Sequence, residues 1–418
     1  MTRIVIVGGG FAGINLVKGL AGKKDIEVVL VDKNNYHFFP PLLYQVATAF
    51  IEPSNITYPF RKMFQGKQNV RFYYGTLLSV HEEDRHIITD GGRLDYDFLV
   101  LAMGTETNFY GLENLKKKAL PIKTIDDALH LRNHLLMNME KAVKTTNLQE
   151  RAKLLNLVIA GGGPTGVELA GMAGEMSKNI LRKDYPELGE TAGNIYLVGS
   201  GDKLLGPMSK QAQQESHKQL FKLGVQIKLG VAVKDYINDE VILSNGEKIS
   251  TCSLIWASGV VAAEVQGLPE ESRGRGGRLK VDEYNGISGI DRIFAIGDLC
   301  CQYTDKNYPD GHPQLAQVAI QQGKLLAANL VNLIDEKRMK PFNYLNKGSM
   351  AIITKYQAVV DLPFGSFTGY FAWLTWLFVH IIPIAGFRNK AKLAYNWFWS
   401  FLTNNPNLRL IIGAKKRH

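Results

Sequence analysis

One pattern occurs twice in this chain, and it restricts the fold more than anything else in the sequence. A short β-branched run ends in glycines spaced G-x-G-x-x-G, and a helical stretch follows at once. The first copy is residues 3–7 (RIVIV), then Gly8, Gly10 and Gly13, a predicted helix over 11–21, and a strand over 28–31 that ends at Asp32. The second is a strand over 154–160, then Gly161, Gly163 and Gly166, a helix from Thr165, and a strand over 195–198. Two adjacent parallel strands need a crossover, and a helix is the usual one. The glycines have separate tasks. The first permits the tight turn, the second lets the backbone approach a pyrophosphate, and the third lets helix and strand pack closely. The N–H groups that open the helix then face the phosphate charge. Asp32, at the end of its strand, is placed to accept hydrogen bonds from ribose hydroxyls. The second copy has Gly199 where that acid is expected, with Asp202 and Lys203 just beyond. NAD is the better fit there, but NADP stays open. Two such units, with Gly8 and Gly161 as their first glycines, predict an α/β protein with two nucleotide-binding domains built on parallel sheets.

The rest of the composition removes alternatives. Apolar residues make up 45% of the 418 and charged residues 21%, which supports buried cores and excludes wholesale disorder. Cys252, Cys300 and Cys301 are the only cysteines, too few for a disulfide scaffold and suited to a reducing compartment. The adjacent pair is expected to be buried small hydrophobes rather than a vicinal disulfide. The nine His show no metal-ligand spacing, so no metal is expected. Residues 272–278 (SRGRGGR) read as a solvated turn, and no nucleic-acid partner is expected. The first strand begins at Arg3, which leaves the expectation of no leader peptide.

Two further segments, 99–104 (LVLAMG) and 293–298 (IFAIGD), each deliver a strand into a glycine turn. With the two fingerprints they resemble the motifs of the two-dinucleotide-binding-domain flavoproteins. The resemblance implies two Rossmann-like domains: a split FAD domain over 1–120 and 265–340, and an inserted NAD(P)H domain over 121–264. It implies non-covalent FAD with NADH as co-substrate, and Asp298 at the ribityl chain. It extends the cofactor contacts to Phe11, Ala12, Lys33, Gly104, Gln317 and Gly259. A disulfide reductase of this architecture needs a C-x-x-x-x-C after its first domain, and residues 1–251 contain no cysteine.

Residues 36–48 (YHFFPPLLYQVAT) and 314–323 (QLAQVAIQQG) resemble the corresponding stretches of type II NADH dehydrogenases, the single-subunit NADH:quinone oxidoreductases. This likeness implies hydride transfer from NADH to FAD, then two electrons to a membrane quinone (menaquinone or ubiquinone), without proton pumping. Gln317 and Gln321 are four apart on a helix and share a face, and an amide can meet a quinone carbonyl without bringing charge into an apolar pocket. Glu168, near the start of the second fingerprint helix, is the candidate for holding or relaying a proton. Two other readings stay open: a soluble NAD(P)H-dependent flavoprotein reductase of a protein acceptor, and an NADH-sensing flavoprotein.

The tail differs in character from the rest. Residues 341–418 carry nine Lys/Arg against one Asp, and hold Trp373, Trp376, Trp397 and Trp399 of the five tryptophans. The apolar stretch 370–387 is interrupted and short for a spanning helix. With the cations at 388–392 and 415–417 it predicts an amphipathic helical anchor over 341–418, lying on an anionic leaflet. The expectation is a peripheral homodimer at the cytoplasmic face of the membrane.

Overall fold

The computed structural model describes residues 1–178, 182–188, 193–403 and 409–411. The chain forms two compact units. The first contains Met1–Phe38, Thr57–Glu106 and Val260–Lys347. Its centre is a five-stranded parallel sheet in the order Ile293–Ala295, Phe98–Leu101, Thr2–Val7, Ile26–Asp32, Val70–Tyr74. Ile4, Val5 and Ile6 in the central strand are 0% exposed, so both sheet faces are covered, as an uninterrupted apolar strand requires. The helices Phe11–Leu20 and Ala316–Ile334 pack together. Their approach is close enough that a Cβ on Gly323 would lie 2.3 Å from the Ala12 carbonyl oxygen.

The second unit contains Phe39–Ile56, Thr107–Gly259 and the described residues from Gly348 on. Its parallel sheet runs Leu120–Pro121, Ser253–Trp256, Leu157–Ala160, Ile195–Gly199, Val225–Leu229. The unit boundaries fall after Glu106 and Gly259, and a short early segment, Phe39–Ile56, groups with the second unit.

Two local readings change. The second-copy strand begins at Leu157 rather than 154, because Leu148–Leu155 is a helix whose cap, Asn147, accepts from the Gln149 and Glu150 N–H groups. The tail is also not wholly helical. It opens with an antiparallel sheet of Ser349–Thr354, Gln357–Leu362 and Gly365–Gly369, packed on the helix Pro164–Met176. Helices Tyr370–Ile381 and Phe387–Thr403 follow, the cations of 388–392 lying inside the second. Lys415, Lys416 and Arg417 lie outside the described residues. Among the described residues no helix is long and apolar enough to cross a membrane.

Candidate functional site: two glycine cradles and a buried carboxyl

The two fingerprints fold alike. Gly8 has φ +106°, and a Cβ on it would lie 2.5 Å from Ala102 O; one on Gly13 would lie 1.9 Å from Gly8 O. In the second unit Gly161 has φ +130° with Ala257 O at 2.4 Å, and Gly166 meets Gly161 O at 1.8 Å. The first and third glycines are therefore dictated by the protein's own backbone. The middle ones are not: a Cβ on Gly10 or Gly163 would meet nothing within 4 Å. Space over the middle glycine, at a helix start with no side-chain cap, fits the pyrophosphate of a dinucleotide.

Around the first cradle, Asp32 Oδ2 accepts from Gly9 N at 2.6 Å and Oδ1 from Asn34 N at 2.7 Å. Burial raises its pKa, against those two N–H donations. Lys33 stands beside it, on a cleft also lined by Asn34, Tyr36 and Arg61. His37 was not singled out by the sequence. Its Nδ1 lies 3.0 Å from Gly9 O and its ring meets Phe11 edge-on at 5.6 Å. Burial lowers its pKa to about 4, so near neutrality the ring is uncharged and Nδ1–H donates to Gly9.

Gly104, at φ +69°, has open space at its Cβ position. Asp298 follows a left-handed Gly297, φ +75°. That turn is pinned by Gln322, whose Oε1 accepts from Gly297 N at 2.7 Å, and by Gln314 Nε2 donating to Asp298 O at 3.0 Å. Gln322 was also missed. It lies on the buried stripe of its helix with Val318, Ala319 and Leu326, so periodicity marks it as a buried amide needing a partner. Cys300 and Cys301 are buried and unbonded to each other; burial pushes the Cys300 thiol up to about 12.

Gln317 and Gln321 do share a helix face, but both reach across to the chain that follows. Gln321 Nε2 donates to Leu345 O at 2.9 Å and its Oε1 accepts from Leu345 N at 3.1 Å. Gln317 Oε1 accepts from Lys347 N at 3.0 Å. Gln321, expected to offer its amide to a quinone, has both ends engaged by a segment with no regular ladder of its own.

In the second unit, Gly199 is tightly enclosed: a Cβ there would be 3.2 Å from Leu229 Cδ2. Asp202 is exposed and lies 3.7 Å from the Lys203 ammonium. Gly259 has φ +93°, with Tyr110 Oη 2.0 Å from its Cβ position. Glu168 is buried and its pKa is raised well above the ordinary carboxyl value by desolvation, opposed only by the Ile352 N–H. It is the fifth residue of its helix, past the first turn. Its partner is therefore a backbone amide from the tail sheet, not the helix terminus or a lysine. Nearby Tyr44 is 2% exposed; Gln45 Nε2 donates to its oxygen at 3.1 Å, and Gln45 Oε1 accepts from Trp397 Nε1 at 2.8 Å. The tail tryptophans thus divide. Trp373, Trp376 and Trp397 are buried and only Trp399 is exposed.

Paired dinucleotide cradles on two parallel sheets are the layout of a two-nucleotide oxidoreductase, and no cysteine precedes residue 252. Residues 2–323 match the pyridine nucleotide-disulphide oxidoreductase family, and the chain belongs to it. Within that family it groups with the type II NADH:quinone oxidoreductases, for residues 346–404 also match the NDH2 C-terminal domain. The type II NADH:quinone oxidoreductase Ndh of Mycobacterium tuberculosis is 31% identical over 416 residues, covering 96% of this chain and 88% of its own. The mitochondrial internal alternative NAD(P)H-ubiquinone oxidoreductase A1 of Arabidopsis thaliana is 29% identical, covering 96% and 84%. A solved NDH2 from Plasmodium falciparum, in complex with NADH, shares the fold with a TM-score of 0.88 at 22% identity, over 99% of this chain and 100% of that one.

Proposed function

We propose that the chain catalyses NADH + H⁺ + quinone → NAD⁺ + quinol at a membrane surface, without pumping protons. The observation that carries this reading is the pair of open middle glycines, Gly10 and Gly163, each over a packed first and third glycine. They give one chain two dinucleotide sites, and the names of its relatives assign the donor and the acceptor. Gly8–Gly13, Asp32, Lys33, Gly104 and Asp298 would hold FAD, and Gly161–Gly166 with Gly259 would hold NADH. Bound there, FAD supplies the two-electron carrier between nicotinamide and quinone. The protein's own part is to orient the two ligands and to manage a proton. Glu168, whose burial favours the neutral carboxyl, can give one from its carboxyl oxygen to the quinone as it is reduced. Gln317 and Gln321 hold residues 345–347 in place beside any quinone that docks on that helix face.

The tail is read as a peripheral anchor for a homodimer at the cytoplasmic face, with menaquinone or ubiquinone drawn from the bilayer. Phe371, Phe378, Ile382, Phe387 and Phe398 are all more than 60% exposed, beside exposed Arg388 and Lys392.

The test is anaerobic. Bound flavin is reduced with one equivalent of NADH, a short-chain quinone is added, and flavin absorbance is followed. Reoxidation within about the turnover time of ordinary enzymes supports the reading; a flavin that stays reduced for minutes would sink it in favour of a protein acceptor or a sensor.

A further inference from the structure

The two cradles correspond residue by residue until the place of the ribose acid, and there they part. In the first, Val7 pairs with Val31 and Gly8 N donates to Val31 O at 2.8 Å. The next residue, Asp32, turns its carboxylate onto Gly9 N at 2.6 Å. In the second, Ala160 pairs with Val198 and Gly161 N donates to Val198 O at 2.8 Å. The next residue is Gly199, whose Cβ position lies 3.5 Å from Gly162 N, the counterpart of Gly9 N. Gly199 thus stands in the place of Asp32 with no carboxylate to offer. The backbone does not demand this glycine. Unlike Gly161, it has no left-handed φ, and the tightest contact of an added Cβ is the end of the Leu229 side chain at 3.2 Å.

The chain beyond the strand does not restore a fixed negative charge. Residues 199–205 are pinned by backbone: Gly230 N donates to Gly201 O at 2.9 Å, Val231 N to Gly199 O at 3.2 Å, and Leu205 N to Gly162 O at 2.8 Å. On that loop the Asp202 side chain is 84% exposed and lies 3.7 Å from the Lys203 ammonium. Lys228, paired in register with Val198, has its ammonium 2.8 Å from Glu247. Both acids therefore stand beside a lysine, and an exposed pair such as Asp202–Lys203 is weakened further by salt.

A carboxylate at the end of this strand would accept from the ribose hydroxyls of NADH and repel the 2′-phosphate of NADPH. With Gly199 there, NADH loses an acceptor and NADPH meets no fixed negative charge. We infer, resting on the reading of the second cradle as the nicotinamide nucleotide's, that the enzyme takes NADPH as well as NADH. Gly199 is the residue that admits it, and the Lys203 ammonium takes the 2′-phosphate at the solvent edge. The reaction is NADPH + H⁺ + quinone → NADP⁺ + quinol. Hydride and proton go where they go with NADH, because the 2′-phosphate is not a reacting group.

The experiment follows anaerobic flavin reduction in the flavin-loaded full chain, with NADH and NADPH each limiting, and reads the ratio of the two rates on one preparation. In the wild type the rates are expected to lie within about tenfold of each other, the worth of one hydrogen bond. A wider gap in favour of NADH overturns the inference. Gly199→Asp puts a carboxylate where Asp32 stands in the first cradle. The NADPH:NADH ratio should then fall about a hundredfold, since apposed like charges cost several kcal/mol; an unmoved ratio overturns the role of Gly199. Should that variant not retain flavin, Lys203→Glu decides, because its side chain is exposed. The ratio should fall about fivefold or more at low salt, and less at high salt; an unmoved ratio overturns the proposal. If neither nucleotide reduces wild-type flavin, the reading of the second cradle falls and this inference with it. If both reduce it and quinone fails to discharge it, the quinone-reductase reading falls while dual nucleotide use stands.

Discussion

The middle glycines and His37 show what single residues contribute to the first cradle, and each makes a separable prediction. Gly10→Ala places a methyl in open space, so the fold should persist while flavin is lost; Gly13→Ala drives a methyl into Gly8 O and should destabilise the fold itself. Flavin-to-protein absorbance and thermal melts on the two purified variants separate these outcomes, and equal melting with equal flavin content would refute the assignment. Gly163→Ala should keep its flavin and raise KM for NADH, measured by the rate of flavin reduction. His37 controls an acid limb. Its folded pKa is about 4 against 6.5 for the ordinary ring. Near pH 7 both states are neutral and the native state keeps its full margin. As pH falls through 6.5 the unfolded chain binds a proton that the native ring refuses until about 4, so stability is lost across that window, about 3 kcal/mol in all. His37→Gln, whose amide can still donate to Gly9, should flatten part of this loss in urea titrations at several pH values. His380, also held near 4 by burial, keeps its own share. An unchanged acid limb in the variant would show that His37 does not set it.

At the scale of elements, the sequence was most legible where backbone contact leaves no choice of residue. Gly8, Gly13, Gly161 and Gly166 each meet a carbonyl oxygen within 2.5 Å of the Cβ position, and that necessity is what the fingerprint records. The tail sheet was missed for the opposite reason. Ser349–Thr354 and Gln357–Leu362 are two β-rich runs joined by Lys355 and Tyr356, a hairpin spacing. Tyr356 nevertheless takes φ +66° where Gly or Asn would have signalled the turn. The roles of Gln317 and Gln321 were half legible. Their shared face follows from helical spacing, but residues 345–347 have no periodic pattern to say what they would meet. Gln321→Ala removes both hydrogen bonds to Leu345, at a net cost of about 1–2 kcal/mol. It should slow flavin reoxidation by quinone while leaving reduction by NADH intact. Gln321→Glu, which keeps the acceptor for Leu345 N, should recover part of the stability. Wild-type reoxidation in Gln321→Ala would remove this helix face from the quinone's path.

For the molecule as a whole, the question is why a chain with well-covered parallel sheets leaves large rings in water. On Tyr370–Ile381, Ala372, Trp373 and Trp376 turn inward, while Phe371 and Phe378 are each 74% exposed and Leu374 lies on the same side. Inward packing is satisfied: Trp376 meets Trp397 at 5.7 Å and stacks on His380 at 4.1 Å. The outward rings therefore do not compensate for a poor core; they form an exposed apolar strip of the kind that marks an interaction surface. Arg388 and Lys392 beside it favour an anionic lipid surface over a neutral apolar partner. The two contributions separate by chemistry. Burying each Phe is worth about 1.5–3 kcal/mol, so Phe371→Ser with Phe378→Ser should weaken vesicle binding at least about tenfold on both anionic and zwitterionic lipid. Removing the cations, each worth about 1 kcal/mol near an anionic leaflet, through Arg388→Gln with Lys392→Gln, should weaken binding to anionic vesicles alone and erase its salt dependence. Flotation of the full chain with each vesicle type reads both. If neither pair changes flotation, the strip is covered by protein rather than lipid, and quinone must reach the enzyme by another face.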